Sequence, residues 1–223
     1  MRKMCLYLAL VAGLGFAVPS IGNQEADAIS AIVQGNWRFV QGHPQHPHQG
    51  IDRRSEVAKG QKPIAVVVTC SDSRVSPEII FDQGLGDLFV VRCAGNVVDP
   101  AMLASVEYAI EHLGAKLIIV MGHEKCGAVS ATIEAALSHK PGKHEGYIPD
   151  LVKMITPSVM RAKKKGGDWL ENSIRENVRA VLGEIIKDPI LRPLAAKNEI
   201  TLRGAYYHLD SGSVDWFGGN KTR

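Results

Sequence analysis

The sequence predicts an α/β fold: a central, mainly parallel sheet with an antiparallel edge strand, flanked by helices and preceded by an N-terminal helical arm. Three observations carry this expectation. Short β-branched runs alternate with stretches of helical period through the middle of the chain, the pattern of parallel strands joined by helical crossovers. Those runs are apolar throughout rather than alternating, as strands covered on both faces are. The chain then ends in two strand-like runs separated by Ser211-Gly212, which reads as a hairpin at the sheet edge.

In chain order, residues 1–28 read as an address. Met1-Arg2-Lys3 is basic, Met4 to Val18 is apolar and uncharged, and two small-residue cleavage options follow, after Gly22 and after Ala28. This is the secretory signal pattern. The run is shorter than the roughly 20 residues of a membrane span, and an uncleaved anchor is the other reading of the same residues. The expected location is exported, periplasmic or secreted, with no membrane contact after cleavage. Residues 29–223 then suit one domain.

Ile29, Ile32, Val33, Trp37 and Val40 recur at helical spacing. The segment Gly42 to Gly50, with three histidines between prolines, reads as a mobile surface loop; its prolines argue against regular metal-ligand geometry. Strands are expected at Ile64–Thr69, Asp87–Arg92 and Lys116–Met121. Helices are expected at Pro77–Asp82, at Pro100–Leu113 with proline in its first turn, and from Lys125 to Ser138. Pro141 to Pro157 reads as irregular, giving way to helix. Asp168 is a candidate N-cap for a helix to Lys187, followed by a short helical piece at Pro189–Ala196, a strand at Ile200–Leu209 and its hairpin partner Val214–Phe217.

The net charge of +3 is too mild to imply nucleic acid or a membrane surface as partner. The basic run Arg161 to Lys165 has no interleaved aromatics and reads as a solvated helix end. Removing residues 1–28 leaves three cysteines, Cys70, Cys93 and Cys126, an odd number that argues against a simple disulfide framework.

Two runs carry chemistry: Cys70-Ser-Asp72-Ser-Arg74 after the first strand, and His123-Glu-Lys-Cys126-Gly127 after the third. In parallel sheets, ligands sit beyond the carboxyl ends of strands. Two thiols and one imidazole at such ends make a three-ligand Zn²⁺ site whose fourth position stays open, as catalytic zinc requires. A cysteine nucleophile and a buried structural core are the competing readings. Asp72 and Arg74, two apart on an extended segment, would share a side and form a bidentate pair beside the metal; a plain surface ion pair, and an Asp72 that swings in as a fourth ligand and closes the site, are the other readings.

These residues resemble those of a known family. Cys70-Ser-Asp72-Ser-Arg74, Gly86-Asp-Leu-Phe89-Val-Val-Arg92-x-Ala94-Gly95-Asn96, Glu107-Tyr108-Ala and Gly122-His123-x-x-Cys126-Gly127, with Leu202 to Tyr206 as a closing strand, are similar to the β-class carbonic anhydrases from about Ile29 to Phe217. The resemblance implies one zinc per chain on Cys70, His123 and Cys126, and a catalytic Asp72–Arg74 dyad. It also implies a substrate pocket lined by Gln61, Phe89 and Tyr108 and shared across a dimer interface, with the N-terminal helix embracing the partner. The implied activity is reversible hydration of CO2 to bicarbonate and a proton by zinc-bound hydroxide, in a homodimer or homotetramer. A zinc hydrolase of carbon disulfide or carbonyl sulfide on the same scaffold, and a non-catalytic zinc or bicarbonate-binding module, are the alternatives. Two positions depart from the pattern. Cys93 stands where the family usually has Asn. Val67 stands where one subgroup has a Trp that contributes to an inhibitory bicarbonate site, so that mode of shut-off is not expected here.

Overall fold

The computed structural model describes residues 21–138 and 146–219; the first twenty residues of the expected signal peptide lie outside them. In chain order the elements are α1 (Ile21–Val40), α2 (Ile51–Val57), β1 (Ala65–Thr69), α3 (Pro77–Ile80), β2 (Leu88–Arg92), a 3-10 turn at Ala94–Asn96, α4 (Pro100–Glu111) and β3 (Leu117–His123). There follow α5 (Gly127–Ser138), α6 (Ile148–Ala162), α7 (Trp169–Lys187), α8 (Leu191–Ala196), β4 (Thr201–Tyr207) and β5 (Val214–Phe217).

The five strands form one sheet in the order β2-β1-β3-β4-β5. The first four are mutually parallel and β5 runs antiparallel to β4, as the sequence predicts. Every residue of β1 and β3 is buried, because helices cover both faces. Side chains alternate between those faces. Val66, Val68, Ile118, Val120 and Leu202 pack with α4, α7 and α8. Ala65, Val67, Leu117, Ile119, Met121 and Ala205 pack with Ala28 and Ile32 of α1 and with Ile80 and Phe81. Asp99 caps α4 through Met102 N–H at 2.8 Å, and Asp168 caps α7 through Glu171 N–H at 2.8 Å.

Four expectations need correction. Helix α1 begins at Ile21, eight residues before the expected start. Helix α2 was not expected: it buries none of its residues and is held by Arg53, whose guanidinium reaches the Leu85 carbonyl and Asp87. Helix α6 occupies much of the segment read as irregular and carries Pro157 in its interior. There Ile155, Val159 and Ala162, at helical spacing, are fully buried, and packing against α5 and α7 outweighs the cost of the proline. The Gly42–Gly50 loop is at the surface but tied down. Buried Asp82 accepts from the Gln45 and His46 N–H groups at 2.9 Å each, and the His48 carbonyl accepts from Leu85 N–H.

Candidate metal centre

The carboxyl ends of β1 and β3 are adjacent, with Thr69 opposite Met121. The residues that follow each strand therefore meet. Cys70 Sγ, Cys126 Sγ and a ring nitrogen of His123 all lie within 4.8 Å of one another, and all three residues are buried. The Nδ1 of His123 lies 2.9 Å from the Glu124 carbonyl. A carbonyl only accepts, so Nδ1 carries the proton and Nε2 keeps its lone pair. Among the described residues that buried Nε2 has no hydrogen-bond partner, a costly state for a polar atom unless something binds there. Two sulfurs and one outward imidazole nitrogen are the donor set that suits zinc. The arrangement fits a metal ion.

The backbone is shaped to serve the sulfurs. Gly95 takes a φ of +67°, and a Cβ there would stand 2.7 Å from Ile155 Cδ1. In this conformation its N–H donates to Cys70 Sγ at 3.2 Å, while its carbonyl accepts from Asn177 Nδ2 of α7 at 2.7 Å. Cys126 precedes α5, and the Ala128 and Val129 N–H groups act to lower its thiol pKa, as the anion-binding end of a helix does. Gly122 lets α7 approach β3: a Cβ would meet Ile174 Cγ2 at 2.7 Å and Val178 Cγ2 at 2.9 Å.

The two thiols shift each other in opposite directions. A hydrogen bond from Cys126 lowers the Cys70 pKa against the effect of burial, with further help from the Asp72 and Gly95 N–H groups. Cys126, giving that hydrogen bond to Cys70 and buried, is pushed up. Backbone N–H groups thus favour the thiolate at both sulfurs, and a cation between them would balance the second negative charge.

Asp72 and Arg74 do pair, although the local backbone is a turn rather than an extended segment: Val75 N–H donates to the Asp72 carbonyl. Asp72 Oδ1 accepts from Arg74 N–H at 3.0 Å and from its Nε at 2.9 Å. Oδ2 accepts from Arg74 Nη2 at 2.8 Å and lies 3.9 Å from His123 Nε2. The Arg74 guanidinium holds the Asp72 carboxyl well below the usual carboxylate range. Arg92, to which the sequence assigned no role of its own, braces the first run at two points. Its Nε donates to the Cys70 carbonyl at 3.0 Å and its Nη2 to the Asp72 carbonyl at 2.7 Å. Its place in the Arg92-x-Ala94-Gly95-Asn96 motif was the available signal; for Asn177 there was none.

Gln61, Phe89 and Tyr108 stand elsewhere. Phe89 is opposite Val66, four residues and so about 13 Å along β1 from Cys70. The Tyr108 ring lies 6.4 Å from that of Phe89. Gln61 precedes β1 altogether and is exposed. Within one chain these three gather toward the amino ends of the strands, away from the thiols.

Known proteins share this sequence and shape. The family model described as carbonic anhydrase matches residues 65–214. Carbonic anhydrase 2 of Mycobacterium tuberculosis is 43% identical over 187 residues, covering 83% of this chain and 89% of its own length. Beta carbonic anhydrase 3 of Arabidopsis thaliana is 29% identical over 208 residues, covering 87% of this chain and 79% of its own. Among solved structures, the beta-carbonic anhydrase CcaA superposes with a TM-score of 0.65 at 27% identity, covering 86% of this chain and 88% of that one. By motif, metal-ready geometry and overall likeness, the chain belongs to the β-class carbonic anhydrases.

Proposed function

We propose that the chain catalyses the reversible hydration of CO2 to bicarbonate and a proton, with one zinc ion held by Cys70, His123 and Cys126. The observation that carries the zinc assignment is the buried, unpartnered Nε2 of His123 facing two sulfurs. Zinc in such a site acts as a Lewis acid and brings the pKa of a water from about 15.7 to near 7.

The protein's part is orientation. Asp72 Oδ1 is occupied by two Arg74 donors, whereas Oδ2 has one. The spare acceptor site therefore lies on Oδ2, the oxygen nearer His123. Because Arg74 keeps Asp72 ionised, this carboxylate can only accept. It fixes the nucleophile's proton toward itself and leaves a lone pair free for the carbon of CO2. Arg74 prevents Asp72 from turning and becoming a ligand itself.

A second copy completes the pocket on this reading. Gln61, Phe89 and Tyr108 are remote from the thiols of their own chain, and Tyr108 is 48% exposed, as a residue offered to a partner would be. Trp37 and Val33 of α1 are likewise exposed. A homodimer, or a tetramer built from it, follows. Export is also proposed, on the signal pattern of the first residues. Among the described residues no helix is long and apolar enough to cross a membrane. Ala28 is buried against the core with Ile32, which favours cleavage after Gly22 over cleavage after Ala28.

The test is stopped-flow CO2 hydration with zinc counted per chain, before and after chelation and zinc return. Turnover that tracks zinc supports the reading. Release of hydrogen sulfide from carbon disulfide with no CO2 hydration would replace it with the hydrolase, and stoichiometric zinc without any turnover would replace it with a binding module.

A further inference from the structure

The pairing of β1 with β2 runs one step beyond Thr69 and Arg92. The Cys93 N–H donates to the Thr69 carbonyl at 3.1 Å, and the Cys93 carbonyl accepts from the Ser71 N–H at 3.3 Å. In a parallel ladder, a residue bonded to both neighbours of a partner residue lies opposite that partner. Cys93 is therefore opposite Cys70. Adjacent strands stand about 4.8 Å apart, inside the Cα separation of about 4.4–6.8 Å that a disulfide spans.

The two side chains also share a face. Val66 and Val68, four and two residues before Cys70, lie in one apolar cluster with Phe89 and Val91, four and two residues before Cys93. The period of two carries on to both cysteines, which lie together in a second cluster with Val97 and Cys126. Both thiols are free. Cys93 is outside the group of atoms that can hold the metal and is half-buried, whereas Cys70 is 5% and Cys126 1% exposed. An oxidant arriving from solvent meets Cys93 first.

We propose that Cys93 is a resolving thiol for Cys70: oxidation joins the two in a disulfide, which removes a metal ligand and releases the metal, and reduction restores the site. This rests on the reading that Cys70, His123 and Cys126 hold zinc. The oxidant is a low-molecular-weight disulfide, RSSR. In the first step Cys93–SH and RSSR give the mixed disulfide Cys93–S–SR and RSH. In the second, the Cys70 thiolate attacks the Cys93 sulfur, the Cys70–Cys93 bond forms, and RS⁻ leaves. Two protein thiols are oxidised and one RSSR is reduced to two thiols. Cys126 is not the first target because its sulfur is enclosed at the start of α5. Side chains on the same rung of a parallel pair stand about one strand spacing apart, wider than the usual Cβ separation of about 3.8 Å in a disulfide. The bond closes under strain and falls in the readily reduced class.

The experiment uses the zinc-loaded full chain incubated with oxidised glutathione. Zinc release is followed with a chromogenic chelator, and crosslinks are mapped by mass spectrometry of non-reduced peptides. The expected result is a mass lower by about 2 Da, as loss of two hydrogens requires, a peptide joining Cys70 to Cys93, and one zinc released per crosslink. Dithiothreitol and zinc should reverse all three. Cys93→Ser should bind zinc when reduced and keep it roughly tenfold longer under the same oxidant. Cys93→Ala serves the same purpose should the serine variant fold poorly. A dominant Cys70–Cys126 crosslink, no crosslink, or zinc loss as fast in both Cys93 variants as in the parent overturns the proposal. Failure of the zinc reading is distinguishable: the reduced parent would then hold no stoichiometric zinc before any oxidant is added, and the release step would fall with it.

Discussion

Arg74 grips both carboxylate oxygens of Asp72, Nε to Oδ1 at 2.9 Å and Nη2 to Oδ2 at 2.8 Å, and leaves Oδ2 3.9 Å from the unpartnered nitrogen of His123. A bidentate pair of this kind fixes direction as well as charge. Asp72→Asn keeps the shape but replaces one acceptor oxygen by a donor. It is expected to lower kcat roughly 10–100-fold, the range for partners that orient a metal site, with zinc retained. Arg74→Lys, which has no planar fork, should fall in the same range. Stopped-flow hydration beside zinc analysis checks both; loss of zinc in Asp72→Asn would show that Asp72 acts on the metal instead.

The pH profile follows from the same pair. Arg74 depresses the Asp72 pKa, so Asp72 stays ionised throughout the working range and adds no acid limb. The rate of hydration should rise with pH through one ionisation at or above neutrality. A rate that stays flat from mildly acid to mildly alkaline pH contradicts this.

Metal removal should also be felt in the fold. Three buried donors lose their common partner, and a ligand that binds only the folded state at 100 times its Kd contributes about 2.7 kcal/mol. Chelation is expected to lower Tm by several degrees, and zinc to restore it. Cys126→Ser should weaken zinc retention and lower Tm before any chelator is added. Differential scanning calorimetry reads both.

Gly95→Ala tests the backbone donor to Cys70. The added methyl meets Ile155 and sits on a left-handed residue, costing on the order of 1–3 kcal/mol. Relaxing that clash moves the N–H away from Cys70, so zinc affinity should fall together with Tm. A variant with lowered Tm and unchanged zinc affinity would assign Gly95 a packing role alone.

Asp82 offers a stability test away from the metal. Burial acts to raise its pKa, but the Gln45 and His46 N–H groups and the Arg38 guanidinium outweigh it, and the net shift is downward. A depressed carboxylate stabilises the fold fully above its unfolded value, near 3.8, and that contribution is lost as pH falls toward the folded value. Asp82→Ala should cost on the order of 2–4 kcal/mol near neutrality, with a smaller difference from the parent in acid. Urea titrations at neutral and acid pH give the comparison.

The legible parts of the molecule were those with a local signature. The buried runs at 65–69 and 117–123 stand out because a strand covered on both faces has few polar residues to spare; the half-buried edge strand at 88–92 shows by its Leu-Phe-Val-Val run. The motifs after the two buried strands follow from the parallel topology. Asp99 and Asp168 cap helices where their residue type suggests. Helix α6 was hidden because Pro157 breaks the local signal and only the tertiary contacts of Ile155 and Val159 restore it. Helix α2 buries nothing, so no apolar period marks it. Gln61, Phe89 and Tyr108 matched by resemblance, yet Phe89 near the start of one parallel strand and Gln61 before another lie at the end of the sheet opposite Cys70.

Arg92 ties the carbonyls on either side of Ser71 to one rigid guanidinium. The interval between the metal ligand and its acidic neighbour is thereby gauged by a side chain on another strand. A residue inserted between Cys70 and Asp72 would detach one carbonyl from that gauge and carry the carboxylate off its line to His123. Loop lengthening, which surface turns in general absorb at little cost, is closed to evolution and to engineering here.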